Sequence, residues 1–369
     1  MKRRDFVAGL GAGAAATALG GCGRPGEQPA AGPASAGKVF DWKMVTTWPP
    51  NFPGLGTGAE TLARMIERAS AGRIRVRVHG AGELVPALEV FDAVANGTAQ
   101  MGHGAAYYWK GKSEAAQFFA ATPFGMNAQE RNAWMYYGGG LELWEEVYAP
   151  FGVVPHPAGN TGVQMGGWFN REINGLEDLE GLKMRIPGLG GEVLRRAGGT
   201  PVNLPGGEIF TALKTGSIDA TEWVGPYNDL AFGLYQAARY YYYPGWHEPG
   251  STMEAIFNKE ALDELPDDLR QLVFIACRAV NDNMLAEFTA RNNEALAVLV
   301  EDHGVELRRF PDEVLSRLHE LSIEVIAELA SRDPLVKRVH ESQAAFARQA
   351  RAWHDVSEVA SYRARALPF

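Results

Sequence analysis

Two stretches far apart in the chain repeat one pattern. Ala93-Val-Ala-Asn-Gly97-Thr-Ala-Gln-Met101 and Ala212-Leu-Lys-Thr-Gly216-Ser-Ile-Asp-Ala220 each read as a helix end, a glycine stop and a buried strand. Glycine marks the stop because it takes left-handed backbone without a Cβ clash. Around the first copy, Asp41-Trp-Lys-Met-Val-Thr-Thr-Trp48 alternates as a strand, and residues 58–69 form an amphipathic helix. Ile74-Arg-Val-Arg-Val78 is the next strand, Leu88-Glu-Val-Phe-Asp-Ala-Val94 a helix, and Ala99-Gln-Met-Gly102 a third strand. That β-α-β rhythm predicts a parallel sheet with ligands beyond the strands' carboxyl ends. Found once in each half, the unit predicts two similar α/β lobes, and 369 residues leave room for both. The first lobe is expected at 39–160 plus 250–310 and the second at 161–249, with C-terminal helices at 311–369. Residues 162–169 should run between the lobes, where small ligands commonly bind.

The amino terminus is set apart. Lys2-Arg-Arg-Asp-Phe6 precedes a Gly/Ala-rich apolar run ending at Gly21, so 1–21 reads as a signal peptide, too short and weakly apolar to span a bilayer. The paired arginines before Phe6 resemble a twin-arginine export signal. Leu19-Gly-Gly-Cys22 resembles a bacterial lipobox, which implies lipidation of Cys22 and a membrane tether; otherwise the leader is cut nearby and Cys22 is incidental. Residues 22–38, rich in Pro, Gly, Ala and Ser, read as a flexible linker. A formal net charge of −9 argues against a nucleic-acid partner. The other cysteine, Cys277, ends the apolar run Leu272-Val-Phe-Ile-Ala and reads as a buried, inert thiol.

The stretch from Gln164 to Trp223 carries the chemistry. Arg185 lies in Leu182-Lys-Met-Arg-Ile186, a strand-like run that stops at Pro187-Gly188. An arginine at a strand end offers a planar fork to a carboxylate. Glu222 follows the strand-like Ser217-Ile-Asp-Ala-Thr221 and precedes Trp223. If both line one cleft, an anion held by Arg185 meets a second anion in Glu222. At about 4 Å and an effective dielectric near 20, that repulsion is roughly 4 kcal/mol. Either Glu222 simply pairs with Arg185, or a cation sits between Glu222 and the ligand. Tyr107 and Tyr108 follow the strand 99–102, where an aromatic either reaches the cleft or packs a loop.

Four segments in order carry a family likeness: Gln164-Met-Gly-Gly-Trp168-Phe, Leu182-Lys-Met-Arg-Ile-Pro-Gly188, Asp219-Ala-Thr-Glu-Trp-Val-Gly-Pro226 and Pro244-Gly-Trp-His-Glu-Pro-Gly250. Together they resemble the solute-binding proteins of tripartite ATP-independent periplasmic (TRAP) transporters, and within them the subgroup that binds 2-oxo acids and related small carboxylates. The resemblance runs from about residue 40 to about 359. It implies an α/β, two-lobed periplasmic-binding-protein-like fold of the type II kind with long C-terminal helices, and delivery of a small carboxylate such as pyruvate to a TRAP-type membrane permease. By motif position it implies that Arg185 salt-bridges the ligand carboxylate. Glu222 and the Trp223 carbonyl would hold a metal cation shared with the ligand. Gln164 would supply another oxygen to ion and ligand, and Glu248 would contact either one. Trp168 and the Trp223 indole would each either wall the pocket or belong to the core, and Tyr107, placed by the strand before it, is the further candidate for contact with the ligand. Oxygen ligands suit a hard cation, so Na⁺ or Ca²⁺ is expected rather than zinc. In some relatives a C-terminal helix reaches another subunit, so 311–369 pack either on the lobes or in a homodimer.

No HExxH, Walker loop or Gly-x-Ser-x-Gly elbow is present, and no residue set suggests catalysis. The expectation is a binder, not an enzyme. Two competing readings are a ligand-sensing receptor for a membrane signalling protein and a secreted enzyme acting on a carboxylate.

Overall fold

A computed structural model describes residues 38–368. The expectations placed on 1–37, including export, Cys22 lipidation and nearly all of the linker, lie outside the described residues. The rest contains two sheets. In the first the strands run β2 (Ile74–His79), β1 (Phe40–Thr46), β3 (Met101–Gly104), β10 (Thr252–Asn258) and β4 (Val153–Asn160). β1 is parallel to both β2 and β3, whereas β10 returns antiparallel to β3 and β4. The alternation read in β1 is the reason the sheet has a buried face: Phe40, Trp42 and Met44 are buried while Asp41 and Lys43 are exposed. That face lies under the helices Gly56–Ala69 and Asp267–Ala297, with Leu62, Ile66, Val273, Cys277 and Val280 completing the layer. Cys277 is free and buried, and burial pushes its thiol pKa upward, as expected for an inert sulfur.

The second sheet runs β11 (Glu306–Arg309), β9 (Tyr240–Tyr243), β5 (Gly167–Phe169), β8 (Ala220–Thr221), β6 (Lys183–Arg185) and β7 (Thr200–Val202). One sequence expectation fails here. Residues 250–310 do not all stay with the first lobe, because β11 pairs in parallel with β9 in the second sheet. Its Glu-Leu-Arg-Arg run has one modest apolar residue and is half exposed, so its strand pattern is faint against the helices on either side.

Two segments cross between the sheets and hydrogen-bond to each other. The Thr161 amide donates to the Ser251 carbonyl at 3.0 Å, Gln164 to Glu248 at 3.2 Å, and Gly245 to Gln164 at 3.1 Å. The C-terminal helices then strap both lobes. Asp312–Arg332 packs on Gly188–Arg196 of the second lobe through the buried stripe Val314, Leu318, Leu321, Val325 and Leu329. Pro334–Val356 lies on Ala128–Tyr137 and Gly140–Tyr148 of the first lobe, where Arg338 grips Glu146 in a two-pronged pair at 2.6 and 2.8 Å.

Glu254 is a buried acid in the centre of the first sheet. It accepts hydrogen bonds from the Trp109 indole and, at 3.0 Å, from the Tyr148 hydroxyl. Burial pushes its pKa up to about 8 despite those two donors. A carboxyl whose folded-state pKa is raised contributes stability that is complete below the unfolded pKa of 4.5 and is lost as pH climbs through about 8. Glu254→Gln mimics the protonated form, so its melting temperature should match wild type near pH 5 and exceed it at pH 8.5. Calorimetric scans at both pH values check this; a mutant less stable at the higher pH refutes it.

Candidate functional site

β6 ends on Arg185 and β8 leads directly into Glu222, and these strands are parallel neighbours, with Arg185 opposite Thr221. The register therefore delivers both side chains to the carboxyl edge of one sheet. Arg185 and Glu222 form a direct ion pair, each side chain only 1% exposed. The rest of the guanidinium is used as well: Nε donates to the Leu204 carbonyl at 3.1 Å, Nη1 to the Glu222 carbonyl at 3.3 Å, and Nη2 to the Tyr108 hydroxyl at 3.2 Å. Burial pulls its pKa down, but the Glu222 carboxylate together with the Tyr108 and Tyr107 hydroxyls offsets this and the net shift is upward.

Trp223 closes one side. Its ring lies 5.1 Å from the Arg185 guanidinium and meets Trp48 and Phe52 of the first lobe edge-on at 6.2 and 6.1 Å. Tyr107 and Tyr108 also come from the first lobe, just after β3. Burial raises the pKa of Tyr107 well above normal, and the charge of Glu248 adds to it. Tyr107 sits against the start of the helix Gly188–Arg196, where Gly188 has φ +62° and a Cβ would lie 3.0 Å from the tyrosine Cβ. Glycine at 188 therefore serves both the backbone turn and the close approach of the lobes.

Gln164 and Glu248 stand on the two crossing segments. The Gln164 amide donates to Glu248 Oε2 at 2.9 Å and to Thr161 Oγ1 at 3.0 Å. Its carbonyl oxygen, Oε1, is buried without a partner. Burial and the neighbouring Glu222 charge push Glu248 up to about 7. One oxygen or nitrogen each from Glu222, His247 and Glu248 fall within 4.8 Å of one another. A partnerless buried amide oxygen beside two carboxylates is a donor set that fits a hard cation.

The expected residues are thus brought together with one exception. Trp168 is core, not pocket wall. It is wholly buried, stacks on Tyr241 at 4.0 Å, and donates its indole N–H to Asp229 at 2.9 Å. Asp229 also accepts from the Tyr241 hydroxyl at 2.7 Å and from the Val224 and Gly225 amides at 3.2 Å each. It thereby fixes the loop that follows Glu222 and Trp223, and burial raises its pKa to about 7. An acid in the first turn of the helix Pro226–Phe232 was a readable capping signal for it. His247 also went unrecognised, and it stands beside the expected oxygen donors. Its Nε2 is 3.3 Å from Glu222 Oε2 and its Nδ1 is buried without a partner. It precedes Glu248 on the same crossing segment, so any reading that placed one placed the other nearby.

Residues 44–333 match the model of the bacterial extracellular solute-binding proteins of family 7, the DctP family. The chain belongs to this family of TRAP solute-binding proteins. Among family 7 receptors it is 44% identical over 360 residues to the monocarboxylate 2-oxoacid-binding periplasmic protein of Nostoc sp., covering 97% of each chain. Two solved TRAP receptors are similar throughout. One, from Colwellia psychrerythraea with bound calcium and pyruvate, is 43% identical with a TM-score of 0.86, over 88% of this chain and 99% of that one. The other, from Pseudoalteromonas atlantica with bound sodium and pyruvate, is 42% identical with a TM-score of 0.87, over 90% and 100%. A Bordetella bronchiseptica receptor described as a mixed-occupancy dimer, with copurified calcium and picolinate, is 37% identical with a TM-score of 0.87, over 89% and 100%.

Proposed function

We propose that this receptor captures a 2-oxo acid such as pyruvate, or a related small carboxylate, together with Na⁺ or Ca²⁺, and hands it to a TRAP-type permease. The observation that carries the reading is the buried Arg185–Glu222 pair set beside the partnerless oxygen of Gln164 at the seam between the lobes. Arg185 holds the ligand carboxylate. Glu222, the Trp223 carbonyl, Gln164 and Glu248 hold the ion, with His247 at their edge, and Tyr107, Tyr108 and Trp223 line the guest. The ion neutralises Glu222 and so lets an anion approach Arg185. Binding is the whole activity in this reading; turnover of the bound acid is not part of it. Two similar receptors hold pyruvate with different cations, so the cation class is proposed and the choice within it is left to the charge balance of the site.

Small-angle scattering tests the reading on a panel of oxo- and hydroxy-acids with Na⁺ or Ca²⁺ present. The true ligand should compact the particle as the lobes close on the crossing segments. No compaction and no calorimetric heat with any carboxylate sinks the reading. Native mass spectrometry of the protein as purified names any retained acid and ion.

Lipid tethering through Cys22 and a homodimer belong to the same proposal. The dimer draws support from the C-terminal helices: Glu358–Arg365 buries no residue, and Trp353, Val356 and Tyr362 are each more than 60% exposed. Sedimentation should give a dimer that dissociates in Trp353→Glu with Tyr362→Glu; a wild-type monomer at micromolar concentration rejects it.

A further inference from the structure

Arg131 lies on the helix Ala128–Tyr137 and is wholly buried. Its Nη1 donates to the Phe118 carbonyl at 2.7 Å, an oxygen that also accepts the Gln343 amide at 2.6 Å. Its Nε and Nη2 are buried without any hydrogen-bond partner. A buried cation in this state is strongly unfavourable unless an opposite charge stands nearby. The helix that carries it starts against the crossing segment that carries Glu248. Ala128, one turn earlier, meets Gly250 so closely that a Cβ there would lie 2.4 Å from the Ala128 amide nitrogen. Arg131 thus lies one turn into a helix whose start rests on that segment. Just before that helix, the Phe124 amide donates to the Trp246 carbonyl at 2.8 Å. Burial lowers the Arg131 pKa to about 10, and the carboxylate that most opposes this is Glu248, ahead of Glu130.

We propose that Arg131 is a specificity-determining residue whose buried charge, standing behind Glu248, sets the valence of the cation the site accepts. The inference rests on the bridging-ion reading above. With an ion against them both carboxylates are ionised, so the charges of Arg185, Arg131, Glu222 and Glu248 cancel. A monovalent ion with a monocarboxylate then leaves the closed site neutral, whereas a divalent ion leaves one surplus positive charge. Removing the Arg131 charge moves that balance toward the divalent ion, because a doubly charged ion feels the change twice as strongly.

Wild type, Arg131→Met and Arg131→Lys are titrated with pyruvate in Na⁺ alone and in Ca²⁺ alone. Melting shifts produced by each ion without pyruvate give a second readout. Arg131→Met should raise the preference for Ca²⁺ over Na⁺ by about tenfold or more, and Arg131→Lys should keep the wild-type ratio. Affinity lost equally in both ions, or a ratio that moves alike in both variants, overturns the inference and leaves Arg131 a packing residue. If Arg131→Met does not melt cooperatively, Arg131→Gln carries the same test, and an unshifted ratio in that variant overturns the inference. Wild-type binding that needs neither ion defeats the functional reading itself. An ion-dependent wild type with unshifted variants defeats only the role of Arg131.

Discussion

Arg185→Lys should weaken pyruvate binding by about two orders of magnitude although it keeps the charge, since losing one or two charge-assisted hydrogen bonds costs roughly 1.5–3 kcal/mol each. The guanidinium does three things at once. Its Nε is anchored on the Leu204 carbonyl, Nη1 reaches Glu222, and Nη2 reaches Tyr108 of the opposite lobe. The anchoring holds the guanidinium plane at a fixed angle, and an incoming carboxylate meets its Nη2 edge, where Tyr108 takes only one of the two hydrogens. A lysine ammonium has no planar fork and cannot hold those three directions together. The substitution also tests the main alternative, in which Arg185 and Glu222 are a structural pair that no ligand enters. In that case Arg185→Lys lowers the melting temperature while pyruvate affinity stays near wild type. Calorimetry and melting on one preparation separate the outcomes, and near-native affinity removes Arg185 from ligand recognition.

The part of this arrangement legible in the sequence was the part written in local pattern. Alternation in Phe40–Thr46 and the helix-glycine-strand unit ending at Met101 and Ala220 foretold two sheets, because periodicity and glycine stops are local signals. Arg185 and Glu222 could be placed together because each follows a short strand, and parallel strands put such residues at one edge. Contacts settled by the meeting of distant segments were not legible. β11 has too little apolar alternation to stand out between two helices, and only its partner β9 makes it a strand. Trp168 looked like a pocket wall because it lies in a binding motif, yet stacking on Tyr241 and the acceptor Asp229 turn it into the core. His247 lies inside the Pro244–Gly250 motif without a role of its own there. Its place is set by that crossing, where the Gly245 amide donates to the Gln164 carbonyl and the Glu248 carbonyl accepts from the Gln164 amide.

Withdrawing the cation should have the largest effect. In a buffer with choline as the only cation and a chelator present, pyruvate affinity should fall by roughly a thousandfold. That is the factor expected when about 4 kcal/mol of unshielded repulsion is added between Glu222 and the ligand carboxylate. Adding back Na⁺ or Ca²⁺ should restore it. Glu222→Gln separates the ion from the guest. With the negative charge gone, choline buffer should no longer abolish binding, and the add-back should recover far less than in wild type. Arg185 in that mutant loses its ion-pair partner but keeps the Leu204 and Tyr108 contacts, so the fork remains in place for a carboxylate. The partnerless oxygen of Gln164 supplies a check on where the ion sits. Gln164→Leu should lower ion affinity without removing charge, and it should leave binding in choline as weak as in wild type. Pyruvate affinity equal in choline, Na⁺ and Ca²⁺ would mean that Glu222 serves Arg185 alone, and that the guest enters without an ion beside it.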